Sequence, residues 1–594
     1  MKKFKRLTAL VLALTLAMAS LSGCGKAKED DKATTSEAVE ATETADGEEL
    51  TGADKYPEFL TVDVFSNQSN FQGIQAGWFG KIVKEKFNME LNIIAPNVAG
   101  GGDTLYQTRS AAGNLGDIVF MGSENGRLSD MIEANLLLDI TDYVANSEYI
   151  KTYTQGIEWM KSVGGTDKIY AIPSLVSTQS ATTPSEGLDL TYGPYIRWDY
   201  YTELGTPEIK TFEDLLPILK QMQDAHPTSD SGKPTYAISL FKDWDGNMMN
   251  NAKQPTCLYG YDEMGFVLSK ADGTDYQSII DSDSQYVRVL KFFFDANQMG
   301  LVDPESTTQD YSIMYTKYQD GAVLYSPWPW LGQSAYNTVD NKAAGKGFMV
   351  APVQDMTILS NGCSPQGDKY VASVGAKAKD PQRMVDFLDW LYSPEGIMTN
   401  CAPIDGTCGP EGMTWEMVDG RPELTELGKE LLLNGDGAVP DEFGGGSWKE
   451  GSSWIAFNAV LQSDINPNTG FSYKYNLWDS VLELKETPLD TSWKEKMGAK
   501  STLEYLQNNN QILIAPGCDF LSPAEDAQIS TLRSQCKAII VENSWKMIFA
   551  DSEDEFNSLL ATMQDQVKGL GYDEVLEFDM QNAKDQNAAR DAVR

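Results

Sequence analysis

The sequence has little histidine, few cysteines and no zinc-type cysteine spacing. Its 594 residues include a single histidine, His226, and seven cysteines, none of which form a CxxC pair. The absence of CxxC disfavours a structural zinc site. His226 stands beside Pro227 near a predicted helix end, so a Ser–His or Cys–His mechanism has no suitable base. No GxxxxGK[ST] loop occurs, which excludes a Walker-type nucleotide site.

Basic residues are also scarce, with 47 Lys and Arg against 86 Asp and Glu and a formal net charge of −39. This charge repels phosphates, so we expect no nucleic-acid partner. It also disfavours close contact with anionic lipid, and solubility is the simplest role for it. The hydrophobic content of 41% and aromatic content of 10% indicate a globular protein. Its length predicts at least two lobes.

Only one long apolar run is present, at residues 7–21 behind four basic residues. This layout is typical of a secretory signal, and the run is shorter than the roughly 20 residues that span a bilayer. "LSGC" (21–24) resembles a bacterial lipobox, which implies cleavage before Cys24 and lipid on its sulfur. We therefore expect a signal peptide at 1–23 and an exported protein anchored to the outer face of the cell membrane. The alternative is a plain secreted protein with an incidental cysteine.

Residues 24–55 lack aromatic side chains and are rich in Glu, Asp, Thr, Ala and Gly. Such a segment buries too little apolar surface to offset the entropy of ordering, so it predicts a disordered acidic tether. Six cysteines remain after Cys24. An even number in an exported chain permits disulfides, and buried free thiols are the equally open alternative. The six are Cys257, Cys363, Cys401, Cys408, Cys518 and Cys536, of which Cys401/Cys408 and Cys518/Cys536 are the nearest neighbours.

The start of the folded body alternates strands and helices. Residues 60–67, 91–96 and 118–121 have strand patterns, and helical patterns lie between them. This order predicts a mainly parallel sheet, whose ligands bind beyond the carboxyl ends of the strands. The residues expected at those ends are Asn67, Gln68, Ser123, Glu124 and Asn125.

Two later helices carry clear boundary signals. Thr211 is the predicted N-cap of a helix over 211–227. Asp380 caps a second helix, with Pro381 at its first position and Gly396 beyond its end. "DWDGN" (243–247) and "DINPNTG" (464–470) place Asp and Asn oxygens at alternate positions, as calcium loops do. Both lack the acidic residue at position twelve, so turns are the better interpretation and no metal site is predicted.

Several stretches together resemble one family. They are "YIRWDYYTELGTPEIKTFEDLLPILKQMQDAHP" (195–227), "GLVDPEST" (300–307), "KDPQRMVDFLDWLYSPEG" (379–396) and "GYDEVLEFDMQNA" (571–583). They are similar to family 1 extracellular solute-binding lipoproteins of ABC sugar importers, which include maltose-binding protein, and above all to the long Firmicute complex-sugar-uptake subgroup. The resemblance implies an α/β, two-lobed periplasmic-binding-protein-like fold (type II) with the ligand cleft between the lobes. The expected division is lobe 1 at 56–173, lobe 2 at 174–365, a lobe 1 return segment at 366–420 and a helical C-terminal part of lobe 2 at 421–594.

The resemblance also implies a function and a site. The chain would capture a sugar or oligosaccharide and deliver it to the permease subunits of an ABC importer, as a monomer without cofactor or enzymatic activity. Glu124 and Asn125 fall where the family places sugar contacts, although the family has an acid followed by arginine there. "VLYSPWPW" (323–330) points to Trp328 first and Trp330 second as an aromatic platform, and "VDVFSNQSN" (62–70) points to Asn67 and Gln68.

An indole can stack on the apolar face of a pyranose, so Trp78 and Trp448 are further candidates. The glycine-rich segment 442–454 is a candidate rim loop. Two other functions stay open. A lipid-anchored glycoside hydrolase needs two carboxylates about 5–9 Å apart, which 86 acidic residues do not exclude. A binder of peptides or another small solute could use the same fold, because fold does not fix ligand.

Overall fold

The computed structural model describes residues 50–96, 98, 102–124, 126–400, 407–433 and 437–594. Thr51–Arg594 forms one unit by its contacts. The signal peptide, Cys24, nearly all of the predicted tether, Asn125 and Cys401 lie outside the described residues. The last residues of the predicted tether, Gly52–Lys55, form a helix, so these four residues are not disordered as predicted.

The described part of the chain contains the following strands: β1 Leu60–Ser66, β2 Gly73–Ile74, β3 Met89–Ile94, β4 Ile118–Gly122, β5 Ile172–Pro173, β6 Tyr195–Arg197, β7 Tyr261–Met264, β8 Val267–Lys270, β9 Tyr276–Ser278, β10 Tyr325–Ser326, β11 Phe348–Val350, β12 Ile358–Asn361, β13 Tyr370–Val374, β14 Trp415–Val418, β15 Arg421–Leu424 and β16 Ile512–Ala515.

Its α-helices are α1 Gly52–Lys55, α2 Gly77–Phe87, α3 Gly102–Ala111, α4 Arg127–Glu133, α5 Thr141–Ala145, α6 Thr154–Gly164, α7 Trp198–Glu203, α8 Leu215–Ala225, α9 Asn250–Lys253, α10 Gln285–Gln298, α11 Tyr311–Gln319, α12 Pro329–Tyr336, α13 Val339–Ala343, α14 Pro381–Leu391, α15 Pro394–Thr399, α16 Glu426–Leu433, α17 Trp448–Gly451, α18 Asp479–Lys485, α19 Pro488–Met497, α20 Thr502–Asn508, α21 Ala527–Ile548, α22 Glu553–Gly569 and α23 Tyr572–Ala592.

The first sheet has the order β2-β3-β1-β4-β13-β5. Strand β1 pairs in parallel with β3 and with β4, as the alternation of strands and helices predicts. Strand β13 returns from far along the chain and joins β4 in the antiparallel direction. The carboxyl ends of β1 and β4 therefore lie side by side, and the residues that follow Ser66 and Gly122 share one edge of the sheet.

Two large apolar cores divide the described body into two lobes. Buried side chains of 56–176 and 370–481 form one core, which defines lobe 1. Those of 190–358 and 489–575 form the other, which defines lobe 2. Lobe 2 contains two three-stranded sheets among the described residues, with the orders β10-β6-β11 and β7-β8-β9, and α21, α22 and α23 pack on the same core. The chain thus crosses between lobes at 177–189, 359–369 and 482–488, and the predicted two-lobed α/β fold is confirmed.

The third crossing comes later than predicted. Residues 421–481 were expected in lobe 2, yet Leu424, Trp448 and Val481 are buried in the core of lobe 1. The reason is the hairpin of β14 and β15, in which Trp415 pairs with Leu424. A crossing at 421 would split this hairpin, so the segment stays with lobe 1 until α18 has packed.

Helix boundaries agree with sequence signals where a side chain makes the cap. Asp380 accepts a hydrogen bond from the Arg383 amide at the start of α14, as predicted. Thr211 is not an N-cap, because α8 begins at Leu215 and the Asp214 carboxylate instead accepts from the Thr211 amide at 3.0 Å. Gly396 lies beyond the end of α14, as predicted, although it belongs to a second short helix, α15.

Four of the cysteines are free thiols, namely Cys257, Cys363, Cys518 and Cys536. The considered pairing of Cys518 with Cys536 is therefore wrong, and the alternative of unpaired thiols holds for these four. Burial raises the pKa of Cys363 to about 11, so this thiol is protonated at neutral pH.

Candidate functional site

The carboxyl edge of the first sheet carries polar side chains. Asn67 directly follows β1, and its amide donates to the Phe120 carbonyl of β4 at 3.3 Å. The Asn67 side chain is half-buried and that of Gln68 is exposed. Ser123 is buried, and both its amide and its hydroxyl donate to the Lys369 carbonyl, at 2.9 and 2.8 Å. Asn67 and Gln68 therefore stand at the predicted edge, while Ser123 is committed to the fold.

Glu124 brings a carboxylate to the same edge. Its side chain folds back over Gly122, where the Cβ of any larger residue would overlap the carboxylate oxygens. Oxygen Oε2 is buried and has no hydrogen-bond partner among the described residues. A buried carboxylate oxygen without a donor is costly, so this position favours a ligand that brings a hydroxyl or amide.

Trp454 and Phe71 form an aromatic pair beside this edge, and sequence reasoning missed both. Their rings stack with centroids 5.7 Å apart, and both are half-buried. Three side chains bind the segment after α17 to the end of β1. Ser69 Oγ donates to the Trp454 carbonyl at 2.7 Å, and Gln75 Oε1 accepts from the Trp454 amide at 3.0 Å. Ser66 Oγ donates to the Ile455 carbonyl at 2.8 Å. Trp454 is the last residue of the segment 442–454, which the sequence analysis gives as a candidate rim loop.

Trp78 and Trp448, which were candidate ligand contacts, are core residues. Their indoles stack at 4.7 Å with an angle of 6°, and Trp78 Nε1 donates to the Trp448 carbonyl at 3.1 Å. Trp78 is 0% exposed. Helix α2 approaches α17 closely through Gly77, whose Cβ would overlap Gly451. With their faces packed on each other and on the core, these indoles offer no surface to a sugar.

Lobe 2 contains a different pair of stacked indoles, only one of which is exposed. Trp328 is only 3% exposed and forms the N-terminal boundary of α12, while Trp330 is 36% exposed and stacks on it at 4.6 Å. The expected order of the two is thus reversed. The buried Trp328 ring packs against one face of Trp330, and Trp330 is the ring that solvent or a ligand can reach.

Trp244 extends this aromatic surface and was not identified from the sequence. It is 44% exposed, lies 5.6 Å from Trp330 and stacks on Tyr311 at 4.7 Å. Buried Phe241 packs edge-on against its ring at 4.9 Å. We call Trp244, Trp330 and Tyr311 the aromatic wall. The only sequence signal for Trp244 is its place in "DWDGN" (243–247), a segment whose Asp and Asn pattern predicts a turn.

The aspartates around Trp244 hold its loop in place rather than converging on a metal. Asp243 accepts from the Tyr311 amide at 2.8 Å, and Asp245 accepts from the Trp545 indole at 2.7 Å and from the Asn250 amide at 2.9 Å. Burial raises the pKa of Asp245. In the described part of the chain, no cluster of three or more His, Cys, Asp or Glu side chains could hold a metal ion.

Both surfaces adjoin the first crossing. On lobe 1, the Leu175 amide donates to the Asn458 carbonyl at 2.8 Å, four residues after Trp454. On lobe 2, the Gly193 amide donates to the Pro327 carbonyl at 3.1 Å, just before the two indoles. One stretch of chain therefore links the polar edge of lobe 1 to the aromatic wall of lobe 2.

A separate groove of about 640 Å³ runs along α21, bordered by Lys242, Trp545 and Phe549. It shares the 242–246 loop with the aromatic wall, but all of its lining residues belong to lobe 2. A site that two lobes close upon needs residues from both. We therefore place the candidate site at the polar edge and the aromatic wall, not in this groove.

The model of the family "Bacterial extracellular solute-binding protein" matches residues 73–398, which is more than half of the chain. The matched residues include Glu124, Trp328 and Trp330. The chain belongs to this family. Members of the bacterial extracellular solute-binding family are binding proteins. The match covers the first crossing, Glu124 and the aromatic wall, whereas Asn67, Gln68, Phe71 and Trp454 lie outside the matched residues. No helix in the part of the chain that the structure describes is both long and apolar enough to cross a membrane.

Solved structures of other solute-binding proteins share the fold. The S. pneumoniae ABC-transporter substrate binding protein FusA, in complex with kestose, has a TM-score of 0.56 at 14% identity, covering 89% of this chain and 100% of that one. An HMO-binding, ABC-transporter-associated solute binding protein from Bifidobacterium longum infantis gives 0.57 at 13%, over 88% and 98%. Alginate-binding protein AlgQ2 without calcium ion gives 0.55 at 13%, over 92% and 100%. No curated protein sequence matches the chain.

Proposed function

We propose that this protein captures a sugar or oligosaccharide outside the cell and delivers it, unaltered, to the permease of an ABC importer. The observation that carries the proposal is the aromatic wall, with two indoles exposed side by side on lobe 2. Exposed tryptophans that pack against each other are apolar surfaces that water does not favour, and a pyranose face covers such a surface well.

The polar edge of lobe 1 supplies the complementary chemistry. Glu124, Asn67 and Gln68 offer carboxylate and amide groups, which accept from and donate to sugar hydroxyls. We infer that a sugar lies between the two surfaces when the lobes approach each other, because both surfaces border the first crossing. Domain closure by hinge motion around a ligand is a known structural response.

The neighbours with a shared fold support the choice of ligand class. FusA was solved with kestose, and the Bifidobacterium protein is described as HMO-binding. At identities of 13% and 14%, these names guide the screen and do not fix the sugar.

The test is a thermal-shift screen of the full chain against mono- and oligosaccharides, including kestose and alginate oligomers, with short peptides as a separate arm. A ligand at 100 times its Kd should stabilise the protein by about 2.7 kcal/mol. We expect at least one saccharide to raise the melting temperature while the peptides leave it unchanged. Stabilisation by peptides alone would favour a peptide binder on the same fold.

We also propose that the chain is anchored by lipid at Cys24, as a monomer. The motif "LSGC" and an extracellular family support this. Two acyl chains hold a protein at a membrane far better than one, since each buried CH₂ contributes about 0.8 kcal/mol. A Cys24→Ala variant should then be found in the medium rather than with the membranes, and equal membrane fractions of both proteins would contradict the anchor.

A further inference from the structure

The loop that carries Trp244 has little protein around it. Four of its five residues, 242–246, are exposed, the exception being the half-buried Asp245. Lys242, Asp245 and Gly246 border the groove along α21. A loop with so many exposed residues keeps one conformation only where specific contacts hold it. The direction of the Trp244 ring in the aromatic wall therefore depends on which contacts fix this loop.

One indole from the C-terminal part of the chain contacts the loop at two places. Trp545, in α21, donates from Nε1 to Asp245 Oδ2 at 2.7 Å. The Lys242 ammonium lies over the Trp545 ring, 4.9 Å from its centroid. A charge-assisted hydrogen bond and a cation–π contact thus hold the loop one residue after and two residues before Trp244. Trp545 lies outside residues 73–398, which the family model matches.

Trp545 is itself fixed in the core of lobe 2. It is 5% exposed, and Ser544 beside it is 0% exposed. The Tyr286 hydroxyl shares a hydrogen bond with the Ser544 hydroxyl at 2.8 Å and accepts from the Met249 amide at 2.9 Å. Helix α10, which carries Tyr286, packs along α21 in the same core. The exposed loop is therefore attached to an indole that the core holds in place.

The Asp245 carboxylate transmits this attachment to the backbone next to Trp244. Its Oδ1 accepts from the Asn250 amide at the start of α9, at 2.9 Å, so each carboxylate oxygen has a donor. Burial raises the pKa of Asp245, because water reaches the carboxylate poorly. A partly buried carboxylate that loses one of two donors turns toward water to replace it. Such a turn moves the chain beside Trp244.

The other bonds of the loop hold different parts of it. Asp243 accepts from the Tyr311 amide at 2.8 Å, which fixes the loop on the side of the wall. Asn247, just beyond the loop, donates to Glu263 at 3.0 Å. Trp545 makes the contacts on the side of the groove, where it lines the same cavity as the loop. Without Trp545, the loop is held on the other side and at its end.

We propose that Trp545 and Asp245 are positioning residues for Trp244, which fix the loop 242–246 so that the Trp244 ring keeps its place in the aromatic wall. The proposal rests on the proposed function insofar as the wall binds a sugar. A ring that is already fixed loses less conformational freedom when a ligand covers it. Helix α21 thereby contributes to the site although none of its residues belongs to the wall.

The first test uses the full chain without ligand, with 5-fluorotryptophan in place of tryptophan. The ¹⁹F NMR signal of Trp244 is assigned from its loss in Trp244→Phe. We expect one narrow signal in the native protein and a divided or at least about twofold broader signal in Trp545→Phe, which keeps a ring but has no N–H. Asp245→Asn, whose NH₂ cannot accept, should have the same effect. Because this variant removes no ring, a lost ring current cannot explain that result.

Trp493→Phe is the matched control. Trp493 is 1% exposed in the same lobe, and its Nε1 donates to the Val350 carbonyl at 2.9 Å. This variant should lower the melting temperature and leave the Trp244 signal unchanged. An unchanged Trp244 signal in folded Trp545→Phe would overturn the proposal, and so would an equal change in the control. Should Trp545→Phe not fold, Asp245→Asn decides by the same criteria.

The second test uses the sugar found in the screen. Trp545→Phe should weaken its binding at least about threefold, and should have no effect when Trp244 is already alanine, because a positioning residue acts only through the residue it positions. Calorimetric titration of the native protein, both single variants and the double variant measures this. Equal weakening in both backgrounds would contradict the role. Should no sugar bind, the proposed function fails, whereas the fluorine signals still decide whether Trp545 positions Trp244.

Discussion

At the residue scale, exposure decides which tryptophans can meet a ligand. The sequence shows that a tryptophan is present, but the packing around it depends on the whole chain. Trp78, Trp328 and Trp448 are buried, with exposures of 0%, 3% and 3%, whereas Trp244 and Trp330 are 44% and 36% exposed. The motif "SPWPW" predicts both tryptophans as contacts with Trp328 first, whereas burial leaves Trp330 as the more accessible ring.

Trp330→Ala should weaken binding of the sugar found in the screen at least tenfold, about 1.4 kcal/mol, with little effect on stability. Trp328→Ala removes a buried ring and should destabilise the protein by about 3–5 kcal/mol. Calorimetric titration and urea denaturation measure the two effects. Phe59→Ala is the matched control, because Phe59 is 46% exposed at the opposite end of β1. Equal affinity of Trp330→Ala and the native protein would remove Trp330 from the site.

Glu124→Gln tests the carboxylate at the polar edge. Hydrogen bonds to charged groups contribute about 1.5–3 kcal/mol, so we expect a loss of affinity in that range if sugar hydroxyls donate to this group. Glu133→Gln, at an exposed position of α4 in the same lobe, controls for the loss of one negative charge. Equal affinities of these two variants in the same titration would speak against Glu124 as a ligand contact.

Burial raises the pKa of Glu186 above its ordinary value of 4.5. The fold therefore favours the neutral acid, and this contribution to stability is complete below about pH 4.5 and is lost as pH rises through the raised pKa. As the pH falls from 7 to 4.5, the melting temperature of the native protein should rise relative to that of Glu186→Gln. Parallel curves for the two proteins would contradict the shift.

At the element scale, local signals predict an element well where the cause is itself local. β1, β3 and β4 and the Asp380 cap of α14 follow from alternation and from one side chain. The position of β13 between β4 and β5 has no local signal, since its partners lie more than 190 residues away. The same limit explains the misplaced third crossing and the missed Trp454, both of which depend on contacts distant in sequence.

Asp380→Ala should cost about 1 kcal/mol, the usual contribution of an N-cap side chain. The Asp380 carboxylate also accepts from the Arg383 guanidinium at 3.0 Å, which adds to the loss. Asp380→Asn is the matched control, because asparagine caps nearly as well as aspartate. Urea denaturation of the three proteins should rank them native, Asn and Ala, and an Ala variant as stable as the native protein would refute the cap.

At the scale of the whole molecule, two lobes with separate cores place unlike surfaces on either side of the crossings. The polar edge offers acceptors and donors, and the aromatic wall offers flat apolar rings. Neither surface alone distinguishes a sugar from other small solutes, whereas the pair matches the two kinds of surface that a pyranose presents. The protein's role thus depends on what fits between the lobes rather than on any one side chain.

The most direct measurement is calorimetric titration of oligosaccharides into the full chain, followed by mass spectrometry of the sugar recovered from the complex. We predict saturable binding of one sugar per chain and recovery of that sugar with its mass unchanged. A shortened sugar would make the protein a glycosidase. The absence of binding by every saccharide tested, with the protein folded, would contradict carbohydrate capture.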